Sequence, residues 1–287
     1  MNNFRKDRNY LLKYSLTSGI VFLFMNSAIL ILRSGHLNFH INTELAPIAL
    51  LSILLCGLPS SILHNCAHGN WKPKFLNTVL GEIFGTVMLY GFKGFKLGHM
   101  FHHKFPDDPD YDVHPPKGYR FHQFLVSPIE DTLKVIERVY FEYYGDNESS
   151  RRNIFWQKIF FNFSIVMRLS FWLLLLGPSL FVFLYLPLYV LNIFVFAHIN
   201  YAAHIINKEG NSEVVNLNHN IYYRIVNVLS MGGYFHKSHH LKPQCLNPAK
   251  AIIDDNTAYV TFIHEKKVVI NKKLEKRHLR LVKAQYL

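Results

Sequence analysis

Four long runs of mostly apolar residues constrain what this chain can fold into. They cover residues 15–32, 45–63, 159–177 and 180–199, and Arg168 is the only charged residue inside them. About 20 helical residues cross the hydrocarbon core of a bilayer. The runs therefore predict an all-α integral membrane protein with four transmembrane helices. We expect Arg168 to face the protein interior or to extend toward the membrane surface.

The connections between these runs predict their topology. The loop over 33–44 and the turn at 177–179 are short, so the four runs should form two hairpins. Residues 1–14, 64–158 and 200–287 then share one side of the membrane, and they hold 29 of the 31 Lys and Arg residues. This asymmetry places the shared side in the cytoplasm.

The topology predicts a multi-pass protein of a single membrane domain over 1–287. In a bacterium it would lie in the cytoplasmic membrane, with both termini cytoplasmic. Residues 64–158 and 200–287 would form a helical cytosolic cap. Within the cap, residues 75–92 are apolar but contain Glu82 and three glycines, which favours an interfacial or partly buried helix over a fifth crossing.

Three histidine clusters lie on this cytoplasmic side, and together they hold eight of the 17 histidines. Their spacing of three or four residues places imidazoles near one face of a helix. One cluster alone would be weak evidence, but three indicate one metal site assembled from distant segments. The eight histidines are His64, His68, His99, His102, His103, His236, His239 and His240.

The number of histidines favours two metal ions, because six donors fill one octahedral ion. His204 is a ninth candidate, and Asn200 precedes it by four residues, so Asn200 could bind directly or through a water molecule. Nine histidines divided as four and five would leave open positions for O2 or water. Neutral imidazole suits iron, copper, zinc or nickel.

Other kinds of metal site fit less well. No H-E-x-x-H zinc motif is present, and the only Glu-x-x-His, at Glu275–His278, stands alone in the charged tail. An all-nitrogen di-iron centre at a membrane surface fits best. The acidic turn over 107–112 could hold a divalent cation, but its composition favours a solvated turn. A role for Asp110 in orienting a ligand imidazole is a hypothesis.

Several function classes are disfavoured. The three cysteines have no C-x-x-C spacing, and no phosphate-binding or dinucleotide-binding glycine motif is present. The formal charge of +12 follows from membrane orientation, and no motif supports nucleic-acid binding. His198 should be an interface histidine, and His114, His122 and His219 should be polar-region or supporting groups. A metal transporter or a metal-sensing membrane protein would need a path of ligands within the bilayer, whereas the histidine clusters lie at one face and the four runs contain no Asp or Glu.

The sequences HNCAH, HMFHH and HKSHH resemble the three histidine boxes of the membrane fatty acid desaturase superfamily. Asn200-Tyr-Ala-Ala-His204 resembles the additional Asn-x-x-x-His ligand pair of its acyl desaturases. The resemblance extends over residues from about 45 to 245. It implies two iron ions, O2 as co-substrate, a lipid or acyl-chain substrate, and a hydrogen abstraction from an unactivated C–H bond.

Within the superfamily, the stretches HNCAHGNW, GFKGFKLGHMFHH and DDPDYD resemble both bacterial acyl-lipid desaturases and carotenoid ketolases and hydroxylases. The Asn200–His204 pair favours a fatty acyl desaturase, and a carotenoid ketolase or hydroxylase or a lipid hydroxylase remains the alternative. No fused electron-transfer domain is visible in the sequence. The resemblance therefore implies a separate donor of the ferredoxin or cytochrome b5 type.

Overall fold

The computed structural model describes residues 2–33, 39–115 and 119–264 and is mostly helical. The basic tail, with Glu275 and His278, lies outside the described residues, as does His36. The helices are α1 Asn2–Lys6, α2 Tyr10–Leu32, α3 Ala49–Leu55, α4 Leu58–His68, α5 Leu76–Val87, α6 Phe92–Lys104, α7 Phe121–Phe124, α8 Ser127–Tyr144, α9 Glu148–Leu180, α10 Leu186–Ala203, α11 Ile221–Leu229 and α12 His236–Leu241. The remaining elements are 3-10 helices at Thr43–Ile48 and Pro248–Lys250, a π-helical turn at Phe181–Tyr185, and strands β1 His204–Ile206, β2 Ser212–Val214 and β3 Val260–Phe262.

Three helical stretches of the described chain are long and apolar enough to cross a membrane. They are Tyr10–Leu32, Thr43–His68 and Glu148–Ala203. The first two contain the predicted crossings at 15–32 and 45–63. The third, with 56 residues, contains both of the predicted crossings at 159–177 and 180–199.

The third stretch folds back on itself at Gly177, as the sequence predicted. Gly177 has non-helical angles of φ 75° and ψ 164°. The rings of Trp172 and Tyr185 stack with centroids 5.4 Å apart, whereas thirteen residues of straight helix would separate them by about 20 Å. Their polar atoms also donate to adjacent carbonyls, those of Thr86 and Val87. α9 and α10 therefore form a hairpin.

The first two apolar stretches lie along this hairpin. Asn26 of α2 donates to the Met167 carbonyl at 3.0 Å, and Arg33 donates to the Leu174 carbonyl at 2.8 Å. These residues advance along both chains in the same order, so α2 and α9 run parallel.

The α3–α4 stretch pairs with α10 in the same way. Ser52 donates to the Leu184 carbonyl at 3.0 Å, and the Ser60 hydroxyl lies 3.2 Å from Asn192 Oδ1. Both pairs are separated by the same number of residues in the sequence, so these two segments also run parallel. The predicted crossings therefore pack as two parallel pairs, α2 with α9 and α3–α4 with α10.

Arg168 faces the interior of this bundle. Its side chain is 1 % exposed, and its guanidinium donates to Ser164 Oγ, Ser18 Oγ and the Leu89 carbonyl. These contacts exclude the alternative prediction, in which the Arg168 side chain extends to the membrane surface. Arg168 instead joins α2 and α9 to the turn that precedes α6.

α5 is a partly buried helix, as predicted, and it reverses into α6. Gly85 allows this close approach, because a Cβ atom there would lie 2.7 Å from the Phe92 nitrogen. The reversal uses a positive φ at Leu89 and at Gly91. Glu82 has a partner inside the bundle, since the Tyr14 hydroxyl donates to it at 2.6 Å.

A three-stranded antiparallel sheet in the order β1-β2-β3 corrects the all-α prediction. It begins at His204, which pairs with Val214. His204 has extended angles of φ −98° and ψ 109° and caps α10. His204 therefore does not share a helical face with Asn200. A spacing of four residues would place the two side chains on one face only if the helix continued through His204.

Candidate metal centre

Nine histidines from four separated segments converge in the structure. They come from α4, α6, α12 and the first residue of β1. They form two groups, and within each group the candidate ligand atoms lie within 4.8 Å of one another. The group of five contains His64, His68, His99, His103 and His239, and the group of four contains His102, His204, His236 and His240.

The histidine doublets divide between the two groups. His102 and His103 enter different groups, and so do His239 and His240. Consecutive residues on a helix point about 100° apart, because a turn contains 3.6 residues. Each doublet therefore supplies one imidazole to each group. The sequence predicted shared helical faces, and the structure shows that the adjacent histidines diverge.

The spacing of the ring nitrogens fits metal ligation. His68 Nε2 lies 2.7 Å from His99 Nε2, and His103 Nε2 lies 2.7 Å from His239 Nε2. Two nitrogens that bind one first-row ion at about 2.1 Å, at right angles, are separated by about 3 Å. The nitrogens therefore converge at the spacing of neighbouring ligands of one ion.

Two buried carboxylates fix rings in the group of four. His102 Nδ1 donates to Asp112 Oδ1 at 2.8 Å, and His204 Nδ1 donates to Asp107 Oδ2 at 2.9 Å. A proton on Nδ1 leaves the Nε2 lone pair available for a metal. His102 Nε2 is fully buried and has no hydrogen-bond partner among the described residues. This orphaned atom fits a site that holds a cation.

The carboxylates also set the charge balance around these rings. Burial lowers the pKa of His102, but the Asp112 carboxylate outweighs burial, and the pKa lies above its usual value. Burial raises the pKa of Asp107, but His204 and the Thr261 hydroxyl outweigh it, and the pKa lies below its usual value. Asp107 is therefore held as an anion beside the group of four.

Burial keeps most of the other rings neutral. It lowers the pKa of His99, His236, His239 and His240 far below the usual value, with neighbouring imidazoles adding to the shift. Neutral imidazole is the form that binds metal ions. The two groups can therefore hold metal ions without first losing protons from these four rings.

Asp110 does not contact the histidines, contrary to the hypothesis drawn from the sequence. Its exposed carboxylate pairs with Arg138 at 2.5 Å. The solvated-turn interpretation is also wrong for Asp107 and Asp112, which are buried. The sequence does not show which of these three carboxylates contact the histidines, because they differ in burial and all lie in one acidic turn.

Asn200 lies beside the histidines and is buried. Its amide nitrogen donates to the Phe196 carbonyl at 2.8 Å, which leaves the amide oxygen as the group that could face a metal or water. A cavity of about 40 Å³ is lined by Asn200 together with His64, His99, His236 and His239.

The remaining predicted histidines have other neighbours. His198 Nδ1 hydrogen-bonds the Tyr234 hydroxyl, in agreement with an interface role. Among the described residues, neither His122 nor His219 enters the two metal groups. His114 is closer to the centre than the sequence indicated, since its ring centroid lies 5.6 Å from that of His102. Burial lowers the pKa of His114 to about 3.

A larger cavity of about 470 Å³ adjoins the histidines. Its wall is mostly apolar, and it includes His99, His114 and Asn200. Phe95 stacks on His99 with centroids 5.7 Å apart and nearly parallel rings. The cavity can therefore hold an apolar molecule next to the group of five. Sequence reasoning did not identify its lining, because that lining comes from segments throughout the chain.

The family model described as fatty acid desaturase matches residues 41–246. This chain belongs to the fatty acid desaturase family. The matched range includes all nine histidines and Asn200, and the resemblance drawn from the histidine boxes is confirmed. No curated protein and no solved structure matches the chain significantly. Membership implies an oxidoreductase-type enzyme, and the apolar helices agree with a membrane desaturase.

Proposed function

We propose that this desaturase-family protein is a di-iron, O2-dependent enzyme that inserts a double bond into a fatty acyl chain. The observation that carries the proposal is the convergence of five and four histidines beside an apolar cavity. Two bound iron ions would supply the activation of O2. The balanced reaction removes two hydrogens from adjacent carbons and consumes O2, two electrons and two protons, giving the alkene and two water molecules.

The ligand assignment follows the two groups. One ion would bind the group of five, and the other would bind the group of four, with Asn200 beside them as a direct or water-mediated ligand. Asp112 and Asp107 would hold the rings of His102 and His204 in the orientation that presents Nε2. The all-imidazole donor set suits iron, and its neutral rings leave the ionic charge to be balanced by these carboxylates.

The cavity walls would position the substrate. Buried apolar residues exclude water from the space beside His99, which allows an acyl chain to lie there without a polar partner. Phe95, which also lines the cavity, would hold the His99 ring in place by stacking. The expected role of these side chains is to place one pair of methylene groups next to the metal centre.

The membrane arrangement would consist of four crossings in two hairpins, with the cap and both termini in the cytoplasm. The parallel packing of α2 with α9 and of α3–α4 with α10 supports this arrangement, as does the asymmetry of Lys and Arg residues. Electrons would come from a separate protein of the ferredoxin or cytochrome b5 type.

Expression in a desaturase-deficient host, followed by mass spectrometry of total lipids, tests the reaction. The expected result is new double bonds in fatty acyl chains, lost in the His102→Ala and His239→Ala variants. Hydroxylated or keto products would instead assign the chain to the sister oxygenases, such as lipid hydroxylases or carotenoid ketolases. Purified protein without iron, or unaltered products in both variants, would contradict the di-iron assignment.

A further inference from the structure

The segment over 251–264 lies against α12, and we call it the strap. It follows the residues that the family model matches, which end at 246. Lys237 stands among the histidines of α12 and is only 4 % exposed. Its Nζ donates to the carbonyls of Asp254 and Asp255 at 3.1 and 2.8 Å. A buried ammonium group needs hydrogen-bond acceptors, so these carbonyls hold the strap against the third histidine cluster.

The strap contains β3, and β3 carries a bulge at Thr261. Ser212 of β2 pairs with Phe262. The next residue of β2, Glu213, pairs with Val260, so one step along β2 corresponds to two along β3. Thr261 is therefore the extra residue of a β-bulge. Side chains of a regular strand alternate between its two faces, and a bulge redirects one of them.

The redirected side chain reaches a carboxylate of the metal centre. The Thr261 hydroxyl donates to Asp107 Oδ2 at 2.5 Å. The same oxygen accepts the Nδ1 proton of His204 at 2.9 Å. The other oxygen, Asp107 Oδ1, is buried and has no hydrogen-bond partner among the described residues. The two bonds on Oδ2 therefore fix the direction of this carboxylate, and one of them comes from the strap.

Asp112, the other carboxylate of the group of four, is oriented by its own turn. Its Oδ2 accepts from the backbone N–H of Asp107 at 2.6 Å, and its Oδ1 accepts from the backbone N–H of His114 at 2.8 Å. Both donors lie within five residues of Asp112. Thr261 supplies to Asp107, from a distant part of the chain, a restraint that the turn supplies to Asp112.

We propose that Thr261 is a positioning residue of the metal centre, whose hydroxyl holds the Asp107 carboxylate in the direction that fixes the His204 ring. The strap thereby completes the group of four. This inference rests on the metal binding in the proposed function and adds to it a residue outside the family-matched range. Groups behind a ligand imidazole keep the ring oriented, and their loss lowers metal affinity. Thr261 acts through Asp107 and not on the ion itself.

Iron release from the full-length protein tests this role without requiring turnover. The iron-loaded protein in detergent is mixed with a chelator, and release is followed as two phases. The phase that His236→Ala removes belongs to the group of four. Thr261→Val keeps the β-branched shape but removes the hydroxyl. It should accelerate that phase by about tenfold, the lower end of the effect of a lost supporting partner, and leave the other phase unchanged.

Thr261→Ser distinguishes positioning from strand stability. Serine keeps the hydroxyl but loses the β-branching that favours a strand, so this variant should release iron like the unchanged protein. A purely structural role predicts the reverse order, with Val harmless and Ser harmful. Thr257→Val is the matched control in the strap, because the Thr257 hydroxyl donates to the exposed Asp254. It should change neither phase.

A double-mutant cycle shows whether the hydroxyl acts through the carboxylate. In an Asp107→Ala background, Thr261→Val should accelerate release no further, because the group on which it acts is already gone. Thermal unfolding of the metal-free variants checks that each one folds. Thr261→Ala also removes the hydroxyl and replaces Thr261→Val in the cycle if the valine variant does not fold.

Three results would overturn the inference. They are faster release in Thr261→Ser but not in Thr261→Val, unchanged release in both Thr261→Val and Thr261→Ala, and a full additional acceleration in the Asp107→Ala background. Failure of the desaturase reaction looks different, because iron release needs neither O2 nor lipid. A protein with hydroxyl-dependent release that forms no double bonds would contradict the reaction while supporting the role of Thr261.

Discussion

The two histidine groups are supported differently by the rest of the protein. In the group of four, His102 and His204 donate to buried carboxylates at 2.8 and 2.9 Å. In the part of the chain that the structure describes, no carboxylate bonds to any ring of the group of five. Buried anions behind ligand imidazoles increase their basicity and offset the charge of a bound cation. The group of four should therefore hold its ion more tightly.

The largest expected effect comes from removing one ligand from each group. His236→Ala in the group of four and His239→Ala in the group of five should each abolish desaturation, because the reaction would need both ions. Iron analysis should separate the two variants. His239→Ala should keep the ion of the group of four, whereas His236→Ala should lose the more tightly held ion. Equal iron content and retained activity in both variants would contradict two distinct sites.

Asp112→Asn and Asp107→Asn should have the next largest effect, and it should be confined to the group of four. Losing such a supporting partner lowers metal affinity by about 10–100-fold. The measurement is the rate of iron release to a chelator, which should show two phases in the unchanged protein. Either variant should accelerate the slow phase toward the fast one. If either variant changed only the fast phase, the group of four would be the group that holds its ion more weakly, contrary to the prediction.

Arg168→Leu should weaken both groups together. Arg168 bonds the Leu89 carbonyl in the turn before α6, and α6 supplies histidines to both groups. Leaving buried polar partners unsatisfied costs about 1–3 kcal/mol. A lower thermal unfolding temperature in detergent, with both release phases accelerated, is the expected result. Arg151→Leu is the control, because its ion pair with Asp146 is exposed. A change in only one phase would contradict this role.

The smallest effect is expected for Asp110→Asn. The exposed pair of Asp110 with Arg138 should contribute no more than about 1 kcal/mol to stability. Iron content and both release phases should stay unchanged. Comparison of this variant with Asp112→Asn tests whether burial and ring contact, not membership of the acidic turn, decide which carboxylate supports the centre.

Much of the candidate site was predictable because its signals are local. A histidine box is read from spacing within five residues, and three boxes predicted one site that the structure brings together. Arg168 and Asp110 show where prediction from the sequence ended, because the interior position of Arg168 was one of two open alternatives and the role suggested for Asp110 was wrong. Their environments depend on segments far away in the sequence, so spacing indicated neither the partners of Arg168 nor the exposure of Asp110. His204 was found as a candidate, but its extended conformation depends on pairing with Val214 in a sheet that the sequence did not reveal.

The sequence by itself determined the apolar stretches, the reversal at Gly177 and the identity of the histidines, since hydropathy, glycine and box spacing act over short distances. Tertiary structure decided how the doublets divide between two groups, which carboxylates reach them, and where the cavity lies. These properties depend on the relative positions of α4, α6, α10 and α12, and burial changes the energy of a charge according to those positions. A short-range pattern does not contain that information.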